Sequence, residues 1–186
     1  MELPFVDEFC IDVRAPPGPV FLEVAGQIAR GFEGLLPRIL SALLRCENRG
    51  NSYSVPPALG QEANGFRVAR VEAPSVLVLE GQHQFAIYRL SFFVDALSDE
   101  TSRVRARTDA AFPGFKGAAY RALVIGSGGH RFIVRRLLAA IARRAERDRE
   151  GQIFRSFTWP GSSSSCSFTP PVNGSPTSNA AVAKSG

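Results

Sequence analysis

The segment FPGFKGAAYRALVIGSGGHRFIVRRLLAAI, residues 112–141, decides the fold. It opens at Phe112-Pro113-Gly114, a break that ends a strand-like run, and then reads as one long helix beginning at about Gly114. Apolar or small residues recur along it at helical spacing: Phe115, Ala119, Ala122, Gly126, Gly129, Ile133, Leu137 and Ile141. This face is thin in its middle, where a core helix usually carries Leu or Phe. A thin face either lets another backbone approach or leaves room for a ligand. Glycine costs about 1 kcal/mol relative to alanine in a helix interior, so Gly126-Ser127-Gly128-Gly129 marks close packing or a kink.

Working outward, the residues before the break alternate as strands do. Gln84 to Leu97 is one such strand: Ala86, Tyr88, Leu90, Phe92 and Val94 share one face, opposite Ile87, Arg89, Ser91, Phe93 and Asp95. Ser98-Asp99-Glu100 makes a hairpin turn, after which Ser102, Val104, Ala106, Thr108 and Ala110 oppose Arg103, Arg105, Arg107 and Asp109. Phe66 to Glu72 and Val76 to Gln82 supply two more strands, joined at Ala73-Pro74-Ser75. The pattern is an antiparallel meander with one dry and one wet face. Phe5 to Val13 is a first strand, with Phe9, Ile11 and Val13 alternating against Glu8, Cys10 and Asp12. Two short helices follow it. One lies near Val20 to Ala29, with Val20, Val24 and Ile28 four apart, and one over Gly31 to Arg45. Residues 48–64 are rich in turn formers.

The 186 residues suit one domain with some excess chain. Residues 1–150 carry the ordered pattern, and 151–186, rich in Ser, Pro and Gly, read as a disordered tail. No apolar run reaches the roughly 18 residues of a membrane span, and the first residues lack the pattern of a secretory signal. Cys10, Cys46 and Cys166 are odd in number and without metal-like spacing, as expected of reduced thiols in a cytoplasmic protein. The net charge of +5 raises the question of nucleic acid. Arg103, Arg105 and Arg107 alternate on one strand, and the arginines from Arg131 to Arg149 decorate a helix interrupted by Glu146 and Asp148. These read as solvated faces, and no nucleic-acid partner is expected.

A strand, two short helices, an antiparallel meander and one long C-terminal helix follow the order of the α+β helix-grip fold. The chain resembles the START-like superfamily, also called SRPBCC, which includes polyketide cyclases and lipid-transfer domains. The resemblance rests on Val13-Arg14-Ala15-Pro16-Pro17, on the paired strands Val76 to His83 and Tyr88 to Phe92, and on Thr101 to Arg107 leading into Phe112-Pro113-Gly114. It covers roughly residues 6–147. It is similar to bacterial members with a Pro-Gly helix start and a Gly-His helix centre. The resemblance implies a curved antiparallel sheet wrapped around the helix, with a cavity between them faced by the thin side of the helix. The lining it implies is Phe115, Ala119, Tyr120, Ala122 and Leu123 from the helix, with Tyr88, Leu90, Phe92, Ala106 and Thr108 from strands. Such a pocket suits a hydrophobic small molecule, lipid or polyketide-like. The other reading is a compact core filled by the same side chains, since this fold hosts many functions.

His83 and His130 are the only histidines, so an imidazole acid or base is one of them. His130 follows the glycines; the preferred reading is close backbone packing with the ring satisfied structurally, against a helix distortion that aims it into the cavity. His83 reads as a half-exposed strand residue beside Glu80, Gln82 and Gln84. Tyr88 and Tyr120 are further acid/base candidates, and with Glu80 and Arg89 they form one conceivable polar cluster for an enolate. Two histidines without a third ligand give no metal site, and no cofactor is expected. Three readings stand at this point: a ligand-binding protein, a cyclase or dehydratase-like enzyme using a His or Tyr, and a ligand-free structural or interaction module.

Overall fold

The computed structural model describes residues 2–32, 42–48 and 50–156. Most of the helix expected over Gly31–Arg45 and the segment 157–186 lie outside the described residues. The elements are β1 (Phe5–Val13), α1 (Pro17–Phe32), β2 (Glu62–Ala63), β3 (Phe66–Glu72), β4 (Val76–His83), β5 (Ala86–Ser98), β6 (Thr101–Ala111), α2 (Gly114–Arg121) and α3 (Gly129–Ser156). Between α2 and α3, Ala122–Gly126 forms a π turn. The strands make one antiparallel sheet in the order β1-β6-β5-β4-β3-β2. This is the α+β helix-grip arrangement, with the last helix laid along the curved sheet.

The alternation in sequence sets the register. Leu77 faces Phe92, Phe92 faces Ala106 and Val94 faces Val104, so one face of β4, β5 and β6 is apolar. Helix α1 lays Val20, Phe21, Val24, Ala25 and Ile28 on that face, and α3 adds Val134, Leu138, Ile141 and Ala145. The helix α1 begins at Pro17, three residues earlier than the sequence suggests. Pro17 and Pro19 fit there because first-turn amides have no intrahelical acceptor to lose. Ser102 Oγ, fully buried, donates to the Ala15 carbonyl at 2.7 Å and ties β6 to the entry of α1.

The wet face of the sheet is a ladder of paired charges. Arg103 meets Asp12 at 2.7 Å, Arg105 meets Asp95 at 2.8 Å, Arg107 meets Asp109 at 2.9 Å, and Arg89 meets Glu80 at 2.6 Å. The strand arginines are therefore solvated and neutralised, as the alternation suggests. The Glu80 and Arg89 side chains pair with each other on this face, so Glu80 does not join Tyr88 and Tyr120, whereas Arg89 borders the same cavity as they do.

The decisive segment departs from a continuous helix. Gly128 has φ +76°, a conformation that favours glycine, and its amide closes a turn on the Ile125 carbonyl at 3.1 Å. The glycines are not there for close approach: a Cβ at Gly126 or Gly128 would meet nothing within 4 Å. The kink reading holds, and the close-packing reading does not. A π turn also adds a residue to the helical count, which shifts every face beyond it. The buried row of α3 is accordingly Val134, Leu138 and Ile141, whereas Ile133 is exposed.

Candidate functional site

One end of the grip is filled by the core, and the other holds a cavity of about 390 Å³. Its floor is the dry face of the sheet, Phe66, His83, Ala86, Tyr88, Leu90, Thr108 and Ala110, and Arg89, whose guanidinium pairs with Glu80, also borders it. Its roof is Phe112, Tyr120, Val124, Ile125 and His130, and Gly31, Leu44, Cys46 and Asn64 stand along its side. Depressions of about 410 and 370 Å³ also mark the sheet, but their walls carry the Arg89–Glu80 pair and, in the larger, Arg107–Asp109. They are gaps between ion pairs, whereas the walls of the third cavity are mostly apolar.

The aromatic end is organised by Gly81. It pairs with Tyr88 across β4 and β5, and a Cβ there would come within 2.5 Å of the Tyr88 ring and overlap the Gly65 carbonyl. Without that Cβ, the Tyr88 ring crosses β4 and its hydroxyl donates to Gly65 O at 2.7 Å. His83 packs its ring against Tyr120 at 4.9 Å and Tyr88 at 5.4 Å. Burial raises both tyrosine pKa values, so each stays a neutral hydroxyl.

His83 is buried rather than half-exposed, because Phe85 and Tyr120 close over it. Its Nδ1 accepts the Phe85 amide at 3.1 Å, which assigns the proton of the neutral ring to Nε2. Desolvation lowers its pKa from the ordinary histidine value. The unfolded chain therefore binds this proton more readily than the native state. The contribution to stability is full above the unfolded value of about 6.5 and is lost as pH falls below it. The urea midpoint should decline from about pH 7 to about pH 5, and His83→Phe should flatten that decline. An unchanged slope in the variant would assign the effect to another group.

The polar end joins three elements. The dry-face alternation of β1 continues from Phe9 back to Asp7, which pairs with Thr108 of β6. His130, in the first turn of α3, brings Nε2 to 3.1 Å from Thr108 Oγ1 and 3.4 Å from Asp7 Oδ1. Asp7 Oδ1 is buried and has no hydrogen bond that meets normal geometry. A buried carboxylate oxygen without a donor is costly, and His130 Nε2 lies 3.4 Å from it. This favours the proton on Nε2 and leaves Nδ1 without a partner among the described residues. Nδ1 is then the ring position open to a ligand hydroxyl or a proton.

Of the residues named from the sequence, Tyr88, Leu90, Thr108, Tyr120, His83 and His130 come together around this cavity. Phe92 and Ala106 lie on the same sheet face but in the closed core. Phe115, Ala119, Ala122 and Leu123 are exposed, so the thin face of the helix points outward. The reason is the phase of α2 and the π turn, which directs Tyr120, Val124 and Ile125 inward instead. Asp7, Phe66, Phe112, Val124 and Ile125 were not singled out. Asp7 alone had a readable signal, a carboxylate two residues from Phe9 on the dry face. Among the described residues no three His, Cys, Asp or Glu side chains cluster as metal ligands, and no helix is long and apolar enough to cross a membrane.

No protein-family model matches the chain, and no curated protein does. Solved structures do match. A conserved protein from Geobacillus kaustophilus is 15% identical, with 75% of this chain and 94% of that one covered, at a TM-score of 0.44. A truncated norcoclaurine synthase from Thalictrum flavum is 12% identical, with 77% and 96% covered, at 0.44. The di-domain ARO/CYC BexL from the BE-7585A biosynthetic pathway is 17% identical, with 74% and 45% covered, at 0.42. On its own strand order and C-terminal helix, this chain has the helix-grip fold.

Proposed function

We propose that the protein binds a hydrophobic small molecule, lipid or polyketide-like, in the cavity between the sheet and the bent helix. The observation that carries this reading is the cavity itself, about 390 Å³ of mostly apolar space with its polar groups at two ends. That volume falls at the lower part of the roughly 300–1,000 Å³ range of small-molecule sites. The polar groups are neutral tyrosine hydroxyls, a neutral His83 and the Asp7–His130–Thr108 cluster. A ligand with an apolar body and an uncharged hydroxyl or carbonyl at its end matches them. Native mass spectrometry of the full chain purified from its own host is the test. The expected spectrum shows a non-covalent small molecule that denaturation releases. A bare mass, together with no saturable uptake of the neutral probe N-phenyl-1-naphthylamine, would count for the ligand-free module instead.

One observation favours a catalytic reading as well. A carboxylate set against one imidazole nitrogen orients the ring and leaves the other nitrogen as a general base. Asp7 Oδ1 stands 3.4 Å from His130 Nε2, and His130 lines the cavity. Once a bound molecule is known, its conversion to product by the wild type and a loss of about 10²-fold or more in His130→Gln would support the enzyme. Equal conversion by both proteins would remove His130 as the base.

A further inference from the structure

We infer that the outward face of the bent helix docks on an anionic lipid membrane. Residues 110–145 contain no Asp or Glu and carry seven cations: Lys116, Arg121, Arg131, Arg135, Arg136, Arg143 and Arg144. The exposed surface of the same segment is unusually apolar: Phe115 is 89% exposed, Leu123 70%, Phe132 66% and Ile133 64%. Scattered surface apolar residues need no explanation, but these four lie on α2, the π turn and the start of α3, among the exposed Lys116, Arg121, Arg131 and Arg136.

The charges on this face differ from those on the sheet. Arg70, Arg89, Arg103, Arg105 and Arg107 each hold a carboxylate. Lys116, Arg121, Arg131 and Arg136 have no carboxylate partner among the described residues. Arg135 stacks on Phe9 at 5.1 Å, leaving its charge uncompensated. Exposed apolar side chains interspersed with unpaired cations suit the interface of an anionic bilayer, where rings and aliphatic groups enter the acyl boundary and cations meet headgroup phosphates. A second copy using the same face would set Lys116, Arg121, Arg131 and Arg136, none of them ion-paired among the described residues, against the same four cations. Nucleic acid would leave the aliphatic side chains without a partner.

The position of the face adds a consequence. Phe115 and Leu123 lie outside the segment whose inner side chains, Tyr120, Val124 and Ile125, roof the cavity. Docking would therefore bring the cavity roof to the surface from which a hydrophobic molecule is taken.

The test is co-sedimentation of the full chain with vesicles of phosphatidylcholine alone and of phosphatidylcholine containing phosphatidylglycerol. Binding is expected to the anionic vesicles, weakened at least about tenfold without the anionic lipid or at high salt. Phe115→Ser with Leu123→Ser, and separately Arg131→Glu with Arg136→Glu, should each weaken it by about tenfold or more. Because all four side chains are exposed, an unchanged melting temperature is expected and checks the fold. No binding to anionic vesicles, equal binding to both compositions, or wild-type binding by both double variants would overturn the inference. So would a dimer in sedimentation velocity that the Phe115/Leu123 variant dissociates, since the face would then belong to a second copy. The vesicle assay reads the helix face alone, so an empty cavity does not change its outcome.

Discussion

Gly81→Val should destabilise the protein by about 3 kcal/mol, read as a lower urea midpoint at unchanged slope. The position lies within β4, where valine suits the backbone and would ordinarily be favoured. What opposes it is the Tyr88 ring, which occupies the space of the missing side chain, and the Gly65 carbonyl behind it. Accommodating valine moves the ring and breaks the 2.7 Å hydrogen bond from the Tyr88 hydroxyl, which contributes about 1 kcal/mol by itself. Gly126→Ala is the contrasting case. Its Cβ would meet nothing within 4 Å, so the expected change is neutral or stabilising by up to about 1 kcal/mol. Equal losses at both glycines would contradict the account of which one admits a neighbour.

Ala110→Trp should reduce uptake of N-phenyl-1-naphthylamine at least about 100-fold. Ala110 is buried on β6 opposite Tyr88, with its methyl group facing the cavity. An indole there occupies the space between floor and roof, and a ligand must displace it. Because the space is already present, the substitution should cost less stability than the 1–3 kcal/mol typical of overpacking a closed core. Ala106→Trp supplies the comparison: Ala106 lies on the same strand and face, fully buried in the core, so it should destabilise strongly. Retained probe binding in a folded Ala110→Trp protein would place the ligand elsewhere.

Much of the fold was legible because period-two alternation is a local property. The strands from Phe66 to Ala111 fall within two residues of their expected bounds, and the helix starts at Gly114 as Pro113 suggests. The two-residue strand Glu62–Ala63 was hidden among turn formers. The site was legible in part. Tyr88, Leu90 and Thr108 could be placed because they share the strand face that was read directly. The helix side could not, since its face was projected from Phe115 at a constant 3.6 residues per turn. That phase is wrong from the first turn of α2, where Phe115 is 89% exposed, and the π turn at Ala122–Gly126 and the positive φ of Gly128 shift the faces beyond it, with no period to read. His83 was misjudged for a different reason. Its burial depends on Tyr120, 37 positions away in the chain, and a strand pattern carries no record of such a neighbour.

The central claim is that a hydrophobic ligand sits between the sheet and the bent helix. Its most direct test is a heteronuclear NMR titration of the full chain with N-phenyl-1-naphthylamine. The account predicts saturable shifts at Tyr88, Thr108, Tyr120, Val124, Ile125 and His130, with Arg103 and Arg105 on the opposite face unmoved. No saturable shifts, or shifts confined to the charged face or to Phe115 and Leu123, would contradict it.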